Sequence, residues 1–84
     1  MKKSHRAIDI FAQNIRFARR QKNLSLEEVA SRTSSHQATL SRIETGKGNP
    51  TLETCGQLAD VLDVDLQDLL DPNYIGKALQ SPHS

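Results

Sequence analysis

Residues 24–46 read LSLEEVASRTSSHQATLSRIETG, two short helical patterns on either side of a polar break. The first opens on Ser25-Leu26-Glu27-Glu28, which has the form of a capping box. There the Ser25 hydroxyl accepts from the Glu28 amide while the Glu28 carboxylate reaches back. A helix from about 26 to 33 follows, with Leu26, Val29 and Ala30 on one side. Thr33-Ser34-Ser35-His36 interrupts it, and a second helix runs from about Gln37 to Thr45 before Gly46, a suitable C-terminal stop. Taking Leu40 as inward, a step of about 100° per residue brings Ile43 and Glu44 to the same side. Ala38, Arg42 and Thr45 then point the opposite way, with Thr39 and Ser41 on the flanks. The two helices and their short link form a helix-turn-helix candidate.

The helical period continues outward in both directions. Upstream, Phe11, Ile15 and Ala18 follow i, i+4, i+7 spacing and predict an amphipathic helix from about 9 to 22. Asn23 is placed to end it, because Asn tolerates the left-handed backbone. Downstream, Lys47-Gly48-Asn49-Pro50 reads as a loop, and Thr51 is placed to cap a fourth helix with Glu53 in its first turn. Leu52, Cys55, Leu58, Ala59 and Leu62 give that helix a buried stripe. Asp65 starts a short fifth helix with Leu66, Leu69 and Leu70 inward, and Pro72 marks its end. The expected architecture is an all-α, compact five-helix bundle containing a helix-turn-helix. It divides into a basic N-terminal arm (1–8), the bundle (9–71) and a C-terminal tail (72–84).

Composition narrows the function classes. A chain of 84 residues has room for one domain and little room for a deep catalytic pocket, so a binding module is expected and an enzyme is not. There is no 18-residue apolar run, and Met1-Lys2-Lys3-Ser4-His5-Arg6 lacks the apolar stretch of a signal peptide. Cys55, the single cysteine, fits a reducing cytoplasm and reads as a buried, inert thiol on a core stripe. His5, His36 and His83 are scattered, so neither a metal site nor any other cofactor is expected. The net charge of +1 hides a split: residues 1–47 hold ten Lys/Arg against four acids, and residues 48–84 hold one Lys against six. Two readings fit: one face attracts a polyanion, or solvated charges cluster by chance.

The helix from Gln37 favours the first. Its outward face is short, polar and basic, with no bulky apolar group to obstruct approach, which suits a major groove about 12 Å wide. Glu44, on the core side, needs a partner because an unpaired buried charge is expensive. Arg19, one turn beyond Ile15, is the available cation, and a buried Arg19–Glu44 pair is expected to tie this helix to the first.

The ordered set of motifs resembles a known family. Its members are Ile15-Arg16 with Arg19; Leu24-Ser25 with Glu27-Glu28-Val29-Ala30; and Thr39-Leu40-Ser41-Arg42-Ile43-Glu44-Thr45-Gly46. Asn49-Pro50-Thr51-Leu52-Glu53-Thr54, Leu58-Ala59 and Leu62-Asp63-Val64 complete it, over roughly two-thirds of the chain. The set is similar to the phage-repressor and Cro-like, or XRE-type, helix-turn-helix regulators, with a lambda-repressor-like DNA-binding domain. The resemblance implies sequence-specific binding to double-stranded operator DNA, usually as a homodimer. It places Gln37, Ala38, Thr39, Ser41 and Arg42 toward the bases: Gln37 suits adenine, Thr39 a thymine methyl or a phosphate, and Arg42 guanine or phosphate. His36 caps the helix, touches DNA or only fills the turn. Phosphate contacts are implied at Ser25, Leu26, Lys47, Gly48 and Asn49, with Arg16 and Arg20 either joining them or lying in water. Four positions depart from the family pattern: Ser34-Ser35 replaces glycine and an apolar residue in the turn, Leu26 replaces glutamine, and Asp63 replaces glycine.

Two segments stay open. Lys2, Lys3 and Arg6 form either an arm that follows DNA or an ordinary solubilising terminus. After Pro72, the spacing of Tyr74, Ile75, Ala78 and Leu79 marks an apolar stripe on a short helix weakened by Gly76. This stripe packs on the chain's own fifth helix, or with Leu69 and Leu70 it contacts a second copy or another protein. The alternative function, an antitoxin that binds its own operator and a toxin, draws on that same stripe.

Overall fold

The computed structural model describes residues 6–80. Within them the chain forms α1 (Ala7–Gln21), α2 (Leu26–Ser31), α3 (Gln37–Glu44), α4 (Leu52–Leu62), α5 (Leu66–Leu69) and α6 (Tyr74–Gln80), with no strand. The all-α class matches the sequence reading, but the described residues hold six helices and not five. The sixth forms because Asp71 organises its start. Its carboxylate accepts from the Asn73 amide and from the Lys77 ammonium, each at 2.8 Å. Tyr74 then meets Phe17 of α1 edge to face, with ring centroids 5.8 Å apart. These contacts outweigh Gly76, a residue worth about 1 kcal/mol less than alanine inside a helix. The tail therefore packs chiefly on α1, with Asp68 of α5 close to Tyr74.

Caps set most of the helix ends. In α2 the Ser25 hydroxyl accepts from the Glu28 amide at 3.0 Å, and the Ser25 amide donates to the Glu28 carboxylate at 2.8 Å. Thr51 caps α4 by accepting from the Thr54 amide. Asn23 (φ 57°) and Asp63 (φ 59°) take the left-handed conformation, so that the Leu24 and Val64 amides return to the carbonyls of Arg19 and Ala59. Helix α1 begins at Ala7, so residues 7 and 8 belong to a helix and not to an arm. Residues 1–5, with Lys2 and Lys3, lie outside the described residues.

Helix α1 is the mast of the bundle, touching α3, α4, α5 and α6. Phe11, Ile15 and Ala18 on its inner face meet Val29, Leu40, Ile43, Cys55, Leu58, Ala59, Leu62 and Leu69 in one core. Each large side chain among them contributes about 1.5–3 kcal/mol by leaving water. Two stripe positions are corrected. Leu52 is 79% exposed, because the first residue of α4 projects past the edge of the core. Leu70 is 45% exposed, because α5 is a single turn and the next residue rotates outward. A buried polar residue, Asn14, closes the far end of the core. Its amide donates to the carbonyls of Asp68, Leu69 and Asp71 at 3.3, 3.0 and 2.9 Å, satisfying the C-terminal end of α5.

Candidate nucleic-acid interface

Helix α3 has one buried and one bare side. Leu40, Ile43 and Glu44 are buried, while Gln37, Ala38, Thr39, Ser41 and Arg42 are all exposed. Thr45 also faces out, but its hydroxyl turns back to the carbonyls of Ser41 and Arg42 at 3.1 and 3.0 Å. His36 occupies the N-cap position of α3, and its side chain makes no capping hydrogen bond.

The C-terminal end of α3 is locked to α1 by two arginines. Arg19 grips the Glu44 carboxylate through Nε at 2.6 Å and Nη2 at 3.0 Å, and its Nη1 donates to the Leu24 carbonyl at 2.8 Å. The side chains of Arg19 and Glu44 are 14% and 9% exposed. The Glu44 hydrogen bonds hold the Arg19 guanidinium pKa above its usual value, against the opposing effect of burial. Arg16, half-buried, donates to the backbone carbonyl of Glu44 at 2.6 Å. One of its nitrogens is thus committed to α3, whereas Arg20 is exposed.

The loop after α3 folds back tightly. Gly46 sits at φ 76°, and a Cβ there would lie 2.8 Å from an Asp9 carboxylate oxygen. A Cβ on Gly48 would lie 3.0 Å from the Ile43 side chain. The amides of Lys47 and Gly48 both return to the Arg42 carbonyl, at 2.9 and 3.2 Å. These two amides are therefore spent inside the chain, and at these positions the outward-facing cation is the Lys47 ammonium. The Ser25 amide is likewise taken by Glu28, which leaves Leu26 and Glu27 as the outward donors of the first turn of α2. The Arg42 guanidinium donates to the Lys47 carbonyl at 3.2 Å. It borders an open cleft of about 400 Å³ between α3, the loop and the start of α4, where Thr51 and Thr54 also lie. Those two threonines were not among the sequence candidates. The cue available was their position beside the loop, which only the folded chain makes spatial.

The turn between α2 and α3 contains no glycine and is held by side chains. The Thr33 hydroxyl accepts from the Ser35 amide at 3.2 Å. The Ser34 amide and hydroxyl both donate to the Gln57 carboxamide oxygen on α4, at 3.1 and 3.0 Å.

The candidate partner contacts divide. Leu69 is fully buried and belongs to the core, so it is removed from that set. Tyr74 is half-buried against Phe17 of its own chain. Leu70 and Leu79 are exposed, the latter at 68%, and Ile75 is half-buried beside an open cleft it shares with Phe17, Arg16 and Arg20. On the α4–α5 corner, Asp60, Asp63, Asp65 and Asp68 surround one open depression. Among the described residues no group of His, Cys, Asp and Glu is arranged to hold a metal ion, and no helix is long and apolar enough to cross a membrane.

Comparison with known proteins points the same way. Residues 15–69 match a family model described as helix-turn-helix. An uncharacterized HTH-type transcriptional regulator of Sinorhizobium fredii, y4dJ, is 38% identical over 63 residues, 75% of this chain and 82% of that protein. Among solved structures, the clp gene regulator ClgR from Corynebacterium glutamicum aligns with a TM-score of 0.80 at 22% identity. That alignment covers 93% of this chain and 83% of the other, a likeness of fold.

Proposed function

The chain belongs to the phage-repressor, XRE-type family of helix-turn-helix DNA-binding transcriptional regulators, and on that premise we propose that it is a repressor that seats as a homodimer on an inverted-repeat operator. The observation that carries this reading is the bare face of α3, five exposed short or polar residues on a rod whose opposite side is locked into the bundle. Gln37 and Arg42 have the donors and acceptors for bidentate reading of adenine and guanine, and Ala38, Thr39 and Ser41 allow close approach. Lys47, Asn49, Arg20 and the first-turn amides of α2 at Leu26 and Glu27 lie toward the phosphates, and the cations among them supply salt-sensitive, sequence-independent attraction.

An eight-residue helix spans only about 12 Å, enough for a half-site of a few base pairs. Useful affinity then calls for two copies on half-sites about 34 Å apart. Exposed Leu70 and Leu79, with half-buried Ile75, support a contact between copies. The second reading, an antitoxin, rests on Leu79 standing 68% exposed on a helix that lies beyond the matched residues 15–69. Co-purification of a second protein that Leu79→Glu releases, with operator binding retained, would favour it.

The test is selection of bound fragments from a random DNA pool, followed by titration of the selected site. Gln37→Ala and Arg42→Ala should each cost about 1–3 kcal/mol on that site and relax the preference at one position. Equal weakening on every sequence would reassign the residue to phosphate. An unaltered protein that selects no sequence, or binds without salt dependence, overturns the reading.

A further inference from the structure

The two ends of α3 are held by different means. The C-terminal end is fixed by Arg16 and Arg19 of α1. At the N-terminal end, where Gln37 projects, the N-cap residue His36 contributes no side-chain bond. Buried Leu40 anchors the helix one turn further in, and the preceding turn fixes the end itself. Within the turn, Ser34 reaches a single external group, the carboxamide oxygen of Gln57, which accepts from both the Ser34 amide and the Ser34 hydroxyl. Gln57 is half-buried on α4, a helix whose inner face is anchored in the core through Cys55, Leu58, Ala59 and Leu62.

From this geometry we propose that Gln57 is a positioning residue for base discrimination, holding the start of α3 in register through its acceptor oxygen alone. The proposal rests on the operator-binding reading and names a part of its machinery that lies outside the helix-turn-helix. Its chemistry is specific, because two donors converge on one oxygen and the carboxamide nitrogen of Gln57 makes no hydrogen bond among the described residues. A carboxylate should therefore serve as well as a carboxamide, and a methyl group should not. The hydrogen bonds are solvent-exposed, so their loss lowers global stability only modestly.

The experiment compares the unaltered protein, Gln57→Ala and Gln57→Glu on the selected operator and on single-base variants at the position that Gln37→Ala relaxes. Gln57→Ala is expected to lower the ratio of affinities roughly three- to tenfold, the worth of one net hydrogen bond, with the melting temperature lowered by about 3–10 °C at most. Gln57→Glu should weaken all sequences alike through its added charge and keep the ratio. A second readout needs no DNA: in Gln57→Glu the Ser34 amide resonance should follow the titration of the introduced carboxylate, and in Gln57→Ala that amide should exchange faster with solvent. An unchanged ratio in Gln57→Ala, a Gln57→Glu protein no better than the alanine variant, or an indifferent Ser34 amide overturns the proposal. If the unaltered protein is selective and Gln57→Ala equally so, the proposal alone fails; if the unaltered protein is unselective, the operator reading fails first.

Discussion

Replacing Glu44 by alanine tests the joint between α1 and α3 directly. In the native protein the Arg19 guanidinium makes two hydrogen bonds to the Glu44 carboxylate and one to the Leu24 carbonyl, with the two side chains only 14% and 9% exposed. Glu44→Ala leaves Arg19 with the Leu24 carbonyl and no counter-charge. Removing one partner of a fully buried pair costs about 3–5 kcal/mol. Residual exposure of Arg19 lets water recover part of that, so about 2–4 kcal/mol is expected here. For a domain of this size each kcal/mol moves the melting temperature by about 4–8 °C, which gives a fall of about 8–30 °C. Thermal melts followed by far-ultraviolet circular dichroism, with urea titration as a check, measure it. Arg16 contacts the Glu44 backbone and not its side chain, so α3 should keep its helix at low temperature. The double variant Arg19→Met/Glu44→Leu, which removes both charges, should recover most of the loss. A Glu44→Ala protein melting within about 3 °C of the parent, under about 1 kcal/mol, would refute the claim that burial makes this pair costly to break.

Three further outcomes follow from the same structure. Burial raises the Cys55 thiol pKa above its ordinary value, so at pH 8 the native protein should react with a disulfide reagent far more slowly than the urea-unfolded chain; equal rates would contradict its place in the core. Burial first, then the nearby Asp68 charge, raises the Tyr74 phenol pKa, so its absorbance titration should lie above that of free tyrosine. Phe17→Ala should bring that titration back down, and no change would mean that α6 does not rest on α1. Acid should act on two caps: the Ser25 amide and hydroxyl hold the Glu28 pKa below the ordinary range, and Lys77, then the Asn73 amide, do so for Asp71. Both contributions are complete above the unfolded carboxylate range and are lost as pH falls through the lowered folded values. Ellipticity and Tyr74 fluorescence should therefore hold from pH 7 to about 5 and decline below about 4; a loss centred above pH 5 would contradict this.

The fold was legible wherever local chemistry and the helical period agree. Ser25 with Glu28, Thr51 and Asn23 each announce a helix end through their own side chains or backbone tolerance, and the ends fall at or beside those residues. The sides of α3 follow from Leu40 and the angular step alone. What escaped the sequence depends on distance along the chain. Asn14 lies 54 to 57 residues from the carbonyls it satisfies, and nothing in its neighbourhood marks it as buried. Gln57 and Ser34 are 23 residues apart and meet only because α4 crosses behind the turn. Leu52 satisfies the period of α4 and is exposed all the same, since a period assigns a face and does not say where the core stops. The sixth helix was weakly encoded by Tyr74, Ile75, Ala78 and Leu79, and needed Phe17 and Asp71 to become stable.

Ten of the eleven Lys and Arg precede residue 48, and four of the acids that follow it, Asp60, Asp63, Asp65 and Asp68, gather at the α4–α5 corner. Near a line of phosphates such a molecule is a rotor in a field. Unlike charges held at different places on one rigid body are pulled and pushed by that field, a torque that turns the body before contact, so fewer collisions arrive the wrong way round. The benefit is kinetic and fades with added electrolyte, as the reach of unscreened charge shrinks to about 8 Å near 0.15 M.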